Sequence, residues 1–265
     1  MISFNRDLYD ICLSFSFELT KHFKRKRILV VGALALLIPL LFLIVRVFHT
    51  FNSADDFAST ILSFTSTLII ISGAMFAGDA ISSEFEKKTG LLLFPTPQRR
   101  VSIFAGKYLA ALAATLLIVS ICYLVVTIEV IGLFGAGEVS MGLLKSYFLA
   151  ALYASSAISI IYFFSSVFKK TIMSTLIGFF FLFMILPILS MIFILLKIEP
   201  WFIVTYSAGL INNVLGAASI GASHGRGLDI ENFQPHLAVG IVVMFVYTAV
   251  FFLAGTWIAN RRSVE

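Results

Sequence analysis

Polar residues punctuate this chain at long intervals, and between them lie apolar runs that do not alternate. Six such segments stand out: Ile28–Val47, Phe57–Gly78, Tyr108–Phe134, Leu143–Phe168, Thr171–Leu196 and Leu237–Ala259. A hydrocarbon core of about 30 Å is crossed by about 20 residues rising 1.5 Å each, so each segment is long enough to span. Lipid offers backbone amides no hydrogen-bond partner, which leaves only helices and closed barrels as spanning structures. Unalternating runs of this length select helices. The predicted fold is an all-α membrane protein, a six-transmembrane-helix bundle forming a single domain over residues 1–265.

Two stretches fall outside that pattern. Ahead of the first span, Phe4, Leu8, Ile11, Cys12, Phe15, Leu19 and Phe23 recur at helical spacing, while Asp7, Asp10, Ser14, Glu18 and Lys21 take the other face. Residues 1–27 therefore read as an amphipathic helix lying in the inner interface. The run KHFKRKR beside it suits anionic lipid headgroups. On pattern alone, a plain anchor competes with a partner-docking role. Residues 198–236 read as a long outer loop, within which Trp201–Gly221 is only weakly apolar and carries Asn212 and Asn213. Short interfacial or re-entrant helices fit it better than a seventh span.

Composition sharpens this picture. The chain of 265 residues is 60% hydrophobic and 12% charged, against about 25% charged in soluble domains. Its 28 Phe suit lipid-facing and helix-packing surfaces and are no cofactor signature. The net charge of +5 does not point to nucleic acid, because its location is orderly. With the N-terminus inside, the inner segments hold Arg6, Lys21, Lys24, Arg25, Lys26, Arg27, Lys87, Lys88, Arg99, Arg100, Lys107, Lys169, Lys170, Arg261 and Arg262. The outer side keeps Arg46, Lys145, Lys197 and Arg226, so both termini are expected to be cytoplasmic in a multi-pass protein of the cell membrane. The first apolar run exceeds a signal-peptide core and has no small-residue cleavage site behind it, so a retained helix is expected. Cys12 and Cys122 lie far apart, which removes a CxxC site, and both read as small buried hydrophobes.

The connection between the second and third spans, residues 79–107, is the most informative inner segment. It breaks a helix at Thr89 and Gly90, presents an apolar patch from Leu91 to Phe94, stops at Pro95 and Pro97, and resumes at Arg99 and Arg100. An apolar patch on an aqueous loop calls for a protein groove to cover it, or for lipid into which its Leu residues dip.

This order of features resembles the corresponding loop of the type-two ABC permease family, the membrane subunits of ATP-driven exporters. Glu84 and Glu86 match its acidic pair, Leu92 and Leu93 its leucine turn, and Pro97 its proline. Arg99 or Arg100 matches its basic position, and Gly106 with Lys107 its Gly-Lys. The family usually places Gly before Thr, whereas Thr89 precedes Gly90 here, and the leucine turn lacks the acidic residue often found within it. The resemblance implies that the segment is a coupling helix seated in a groove of a separate ATPase subunit. Glu84, Glu86, Thr89, Leu92, Phe94 and Arg99 are then the residues that pass motion to the bundle. It further implies an exporter permease working by alternating access, paired with a second copy of itself or a homologous permease. The expected partners are thus the ABC ATP-binding subunit, that second permease and membrane lipids, with no nucleic acid. The chain itself is expected to be no enzyme and to hold no cofactor, ATP and magnesium belonging to the ATPase. The residues agree on one point: Gly106-Lys107 has Val101 and Tyr108 where a phosphate-binding loop needs Gly and a hydroxyl.

Charges at membrane depth are candidates for chemistry. Glu129 lies about 31 Å along the third span from Tyr108, and Arg46 about 27 Å along the first from Ile28. Both belong near the outer interface, as an ion pair, as snorkelling side chains or as an outer gate. Asp79, near the inner end of span two, is expected to be solvated or capping. An intramembrane enzyme would need a second acid facing it, and AGD is only part of a GxGD pattern. A non-transporting anchor or immunity-type component would share every feature above. Pro39 and Pro187 can bend spans one and five. Ala110, Ala111, Ala113 and Ala114 can bring the third span close to a neighbour. His224, Asp229, Glu231 and His236 share one loop but no metal-ligand spacing, and no metal site is expected.

Overall fold

The computed structural model describes residues 2–46, 51, 53–86, 99–216 and 233–261. Helix α1 (Ile2–Lys24) is followed by a turn in which Lys26 adopts φ 56°, and this left-handed residue redirects the chain into α2 (Arg27–Val45). Span two is assembled from α3 (Ala54–Leu62), α4 (Thr65–Ala77) and α5 (Ser82–Glu86). Spans three and four are α6 (Arg100–Phe134) and α7 (Met141–Val167). Span five joins α8 (Thr171–Phe180), a π-helical turn (Phe181–Ile185) and α9 (Leu186–Leu195). Two four-residue helices, α10 (Val204–Ser207) and α11 (Leu210–Asn213), precede span six, α12 (Leu237–Arg261).

Six stretches are long and apolar enough to cross a membrane, and there are no strands among the described residues. The protein is therefore an all-α, multi-pass membrane protein. Burial divides the spans into two layers. Spans two and four are 67% buried and span three 50%, whereas spans one, five and six are buried by only 17–22%. Spans two, three and four form the centre of the bundle, and spans one, five and six lie at its periphery.

Small and hydroxyl side chains explain why the central helices approach closely. Ala110, Ala111 and Ala114 of α6 and Ala150, Ala154 and Ala157 of α7 are fully buried. Along the α7–α12 seam, Gly255 leaves room for the Tyr162 ring, which stacks on Phe252 and meets Tyr108 of α6 edge to face. The Tyr162 hydroxyl donates to the Phe104 carbonyl, so its polar end is satisfied inside the bundle.

Proline acts differently in its two spans. Helix α2 runs on through Pro39. In span five the widened turn Phe181–Ile185 directly precedes α9, so Pro187, which lacks an N–H, lies in the first turn of a new α-helix. The Trp201–Gly221 stretch forms the two short helices α10 and α11 up to residue 216; the remainder lies outside the described residues. Cys122 is buried, but Cys12 is exposed, because the face of α1 that carries it points away from the bundle.

Candidate functional site

Span two is broken at the end that leads into the span two–three segment, and the break organises a site. After Ala77 the helix gives way to a turn over residues 78–81 before α5 resumes. Its backbone groups are taken up by hydroxyls from two other spans. Ser165 of α7 accepts from the Ile81 and Ser82 amides at 3.0 and 3.2 Å. Ser174 of α8 donates to the Gly78 carbonyl at 2.7 Å. Irregular backbone is tolerable at this depth only when protein supplies such partners. A Cβ on Gly78 would meet Thr175 Oγ1 at 2.6 Å, so glycine is what allows span five this near.

The turn presents Asp79, which is 3% exposed. Arg27 at the head of α2 grips both its carboxylate oxygens, at 2.9 and 2.8 Å, and also donates to the Met75 carbonyl. Arg25 reaches the same carboxylate at 3.4 Å. Asp79 is thus a buried, bidentately paired anion, not the solvated or capping residue expected from its position in the sequence. No acid faces it across a cavity among the described residues.

A second anchor joins α5 to α6 and α1. Lys107, 5% exposed on α6, bonds Glu84 of α5 at 2.7 Å, the Ala80 carbonyl at 3.0 Å, and lies 3.5 Å from Glu18 of α1. Lys21 pairs with Glu18 in turn. Gly106 completes the junction: a Cβ there would meet Ser14 Cβ at 2.6 Å and the Ile11 carbonyl at 2.8 Å, so α1 rests directly on the α6 backbone. One lysine therefore ties α1, the broken end of span two and the start of span three into a single unit.

Helix α1 consequently sits the other way round from a helix floating on a membrane. Asp10, Glu18 and His22 are buried against the bundle, while Leu8, Leu13, Phe17 and Phe23 point outward. Burial pushes the Glu18 carboxyl toward neutrality, yet Lys107 and Lys21 outweigh it and hold the group below its usual range. His22 packs edge-on against Phe76 with ring centroids 5.1 Å apart, and neither ring nitrogen has a hydrogen-bond partner among the described residues. Burial drives its pKa down to about 4, against the opposing pull of Glu18 and Asp79, so the imidazole is neutral.

The ends of the segment that joins spans two and three are fastened to this unit. Glu86 accepts from the Thr171 amide at 2.8 Å, at the start of α8. Arg99 pairs with Asp7 of α1 at 3.0 Å. Glu84, Glu86 and Arg99 are thus brought to one end of the bundle together with Gly106 and Lys107. Thr89, Leu92 and Phe94 lie outside the described residues.

A profile for ABC-2 family transporter proteins matches residues 27–257, nearly the whole chain. The chain belongs to the ABC-2 transporter family. No curated protein matches it. This ABC-2 protein is accordingly a membrane subunit of a transporter, a permease of the kind that works with an ATP-binding subunit and is usually dimeric. Its acidic Glu84 and the Lys107 of its Gly-Lys pair, in different helices, form one ion pair in space.

Sequence reasoning overlooked Glu18, His22, Arg25 and Arg27 as members of this unit. The signal was present, since Asp10, Ser14, Glu18 and His22 recur every four residues and so share one stripe of α1. At the opposite end of the bundle, Glu129 and Arg46 do not pair. The Arg46 guanidinium lies 4.9 Å from the Phe134 ring centre, while both Glu129 carboxylate oxygens are buried without a hydrogen-bond partner among the described residues. A cation–π contact satisfies an arginine near an interface without a carboxylate.

Proposed function

We propose that this permease is the membrane half of an ATP-driven exporter, in which the span two–three segment docks a separate ATPase subunit and relays its closure. The observation that carries the reading is the Lys107 junction. Both flanks of the segment are fastened to α1, α6 and α8 by buried or bridging polar contacts, so a push on the segment is borne by several helices at once. Transport then proceeds by shifting helices between two access states, with no bond formed or broken on this chain. Glu84, Glu86 and Arg99 transmit the displacement, and Thr89, Leu92 and Phe94 belong to the surface that meets the ATPase. The basic end of the bundle faces the cytoplasm, where ATP is.

The test separates docking from relay. Purified chain is combined with its ATP-binding subunit and assayed for association and ATPase rate. Phe94→Asp should weaken association at least about tenfold, because a buried charge replaces an aromatic anchor. Lys107→Met should leave association intact yet abolish the change in ATPase rate that docking brings. Wild-type chain that fails to associate with an active ATPase subunit would overturn the reading. Docking without any transport into sealed vesicles would make the chain an anchor.

A further inference from the structure

The outward face of α1 carries a groove of about 560 Å³ whose two halves differ in chemistry. Leu13 and Phe17, 49% and 70% exposed, form the apolar half. Thr20, Lys21, Lys24 and Arg25 form the polar half. Its size suits a headgroup with the first part of an acyl chain. Lys24 is exposed and has no carboxylate partner among the described residues.

Two of the lining cations also belong to the buried unit. Lys21 pairs with Glu18 on its inner side, and Arg25 holds the longer of the two guanidinium contacts to Asp79, 3.4 Å against 2.8 Å from Arg27. Arg25 can leave Asp79 without stranding it, because Arg27 keeps both carboxylate oxygens.

We propose that this groove is a regulatory site for one anionic phospholipid. Its phosphate sits between Lys24 and Arg25, and its acyl chain lies over Leu13 and Phe17. A zwitterionic headgroup would bring its own cation against three fixed ones, so the site selects net negative charge. The apolar half distinguishes a lipid from a soluble phosphate, which has nothing to lay against Phe17. Because the headgroup competes with Asp79 for Arg25, occupancy alters the contacts that brace the turn at the broken end of span two. The site requires only that the chain spans a membrane, and lipid binding to it is independent of ATPase coupling.

The full chain, without any partner, is titrated in detergent with phosphatidylglycerol, phosphatidylcholine or inorganic phosphate, and bound lipid is counted by native mass spectrometry. One phosphatidylglycerol should bind about tenfold or more tightly than phosphatidylcholine. Lys24→Gln should remove several-fold of that preference, Phe17→Ser should weaken both lipids, and Arg261→Gln, elsewhere on the same basic end, should change neither. Equal affinity for the two lipids, or an unaltered preference in Lys24→Gln, would overturn the site. Inorganic phosphate that binds as well as phosphatidylglycerol would overturn its assignment to lipid. Amide exchange at Ala80–Ser82 should respond to phosphatidylglycerol in the wild type but not in Lys24→Gln, and binding without that response would overturn the regulatory role.

Discussion

His22 shows how a single side chain can report the docking of a whole helix. It is buried and neutral, with its pKa about 4, whereas the unfolded value is 6.5. A depressed folded pKa means that the unfolded chain takes up the proton first. Stability from His22 is therefore complete above about pH 6.5 and declines as pH falls toward 4, by up to about 3 kcal/mol. Glu18 acts in the same direction, since its folded pKa is also lowered and its pairing with Lys107 and Lys21 is lost on protonation. Purified protein should melt at a lower temperature at pH 5 than at pH 7.5. His22→Phe, which keeps an aromatic ring against Phe76, should flatten the pH dependence that Glu18 does not account for.

Among helices, the decisive feature is the interruption of span two. Two backbone amides there depend on one hydroxyl, Ser165, which is itself fully buried. Ser165→Ala leaves both without that acceptor and should destabilise the protein by about 1–3 kcal/mol. Thermal unfolding measures the loss, and faster exchange at Ile81 and Ser82 would localise it. Hydropathy placed this span at Phe57–Gly78 as one helix because it records which residues sit in lipid, not whether the backbone is continuous. For the same reason hydropathy starts span three at Tyr108, although α6 begins at Arg100 and reaches beyond the apolar run. The amphipathic helix was legible as an element from the spacing of Phe4 to Phe23. Its orientation was not, because segregation of residue types does not say which face meets protein. With lipid as the outer solvent, apolar side chains can turn outward and charges can be buried against a complementary partner. That partner, Lys107, lies on another helix and gave no local signal.

At the scale of the whole molecule, six spans and an orderly charge distribution define a topology that chemistry can test with the native cysteines. Cys12 is exposed on α1 and Cys122 is buried in span three. In intact cells an impermeant maleimide should leave the chain unlabelled, and in inside-out vesicles it should label one site. That site should disappear in Cys12→Ser and persist in Cys122→Ser. Labelling of Cys12 in intact cells would reverse the orientation derived from Lys and Arg placement. The six spans could be read because each is encoded within its own stretch of sequence. The ion-pair unit could be read only in part, since its members are contributed by α1, the head of α2, the span-two break and α6.

The dependence of α1 on Lys107 also has a consequence for biogenesis. Glu18 is translated about ninety residues before its lysine, and at roughly 5–20 residues per second the two are separated by some 5–18 s of synthesis. During that interval the first two spans can enter the bilayer, but the N-terminal helix has no α6 on which to rest. Its acidic stripe has no Lys107 to meet until then, so this helix is among those that wait for a later one to settle.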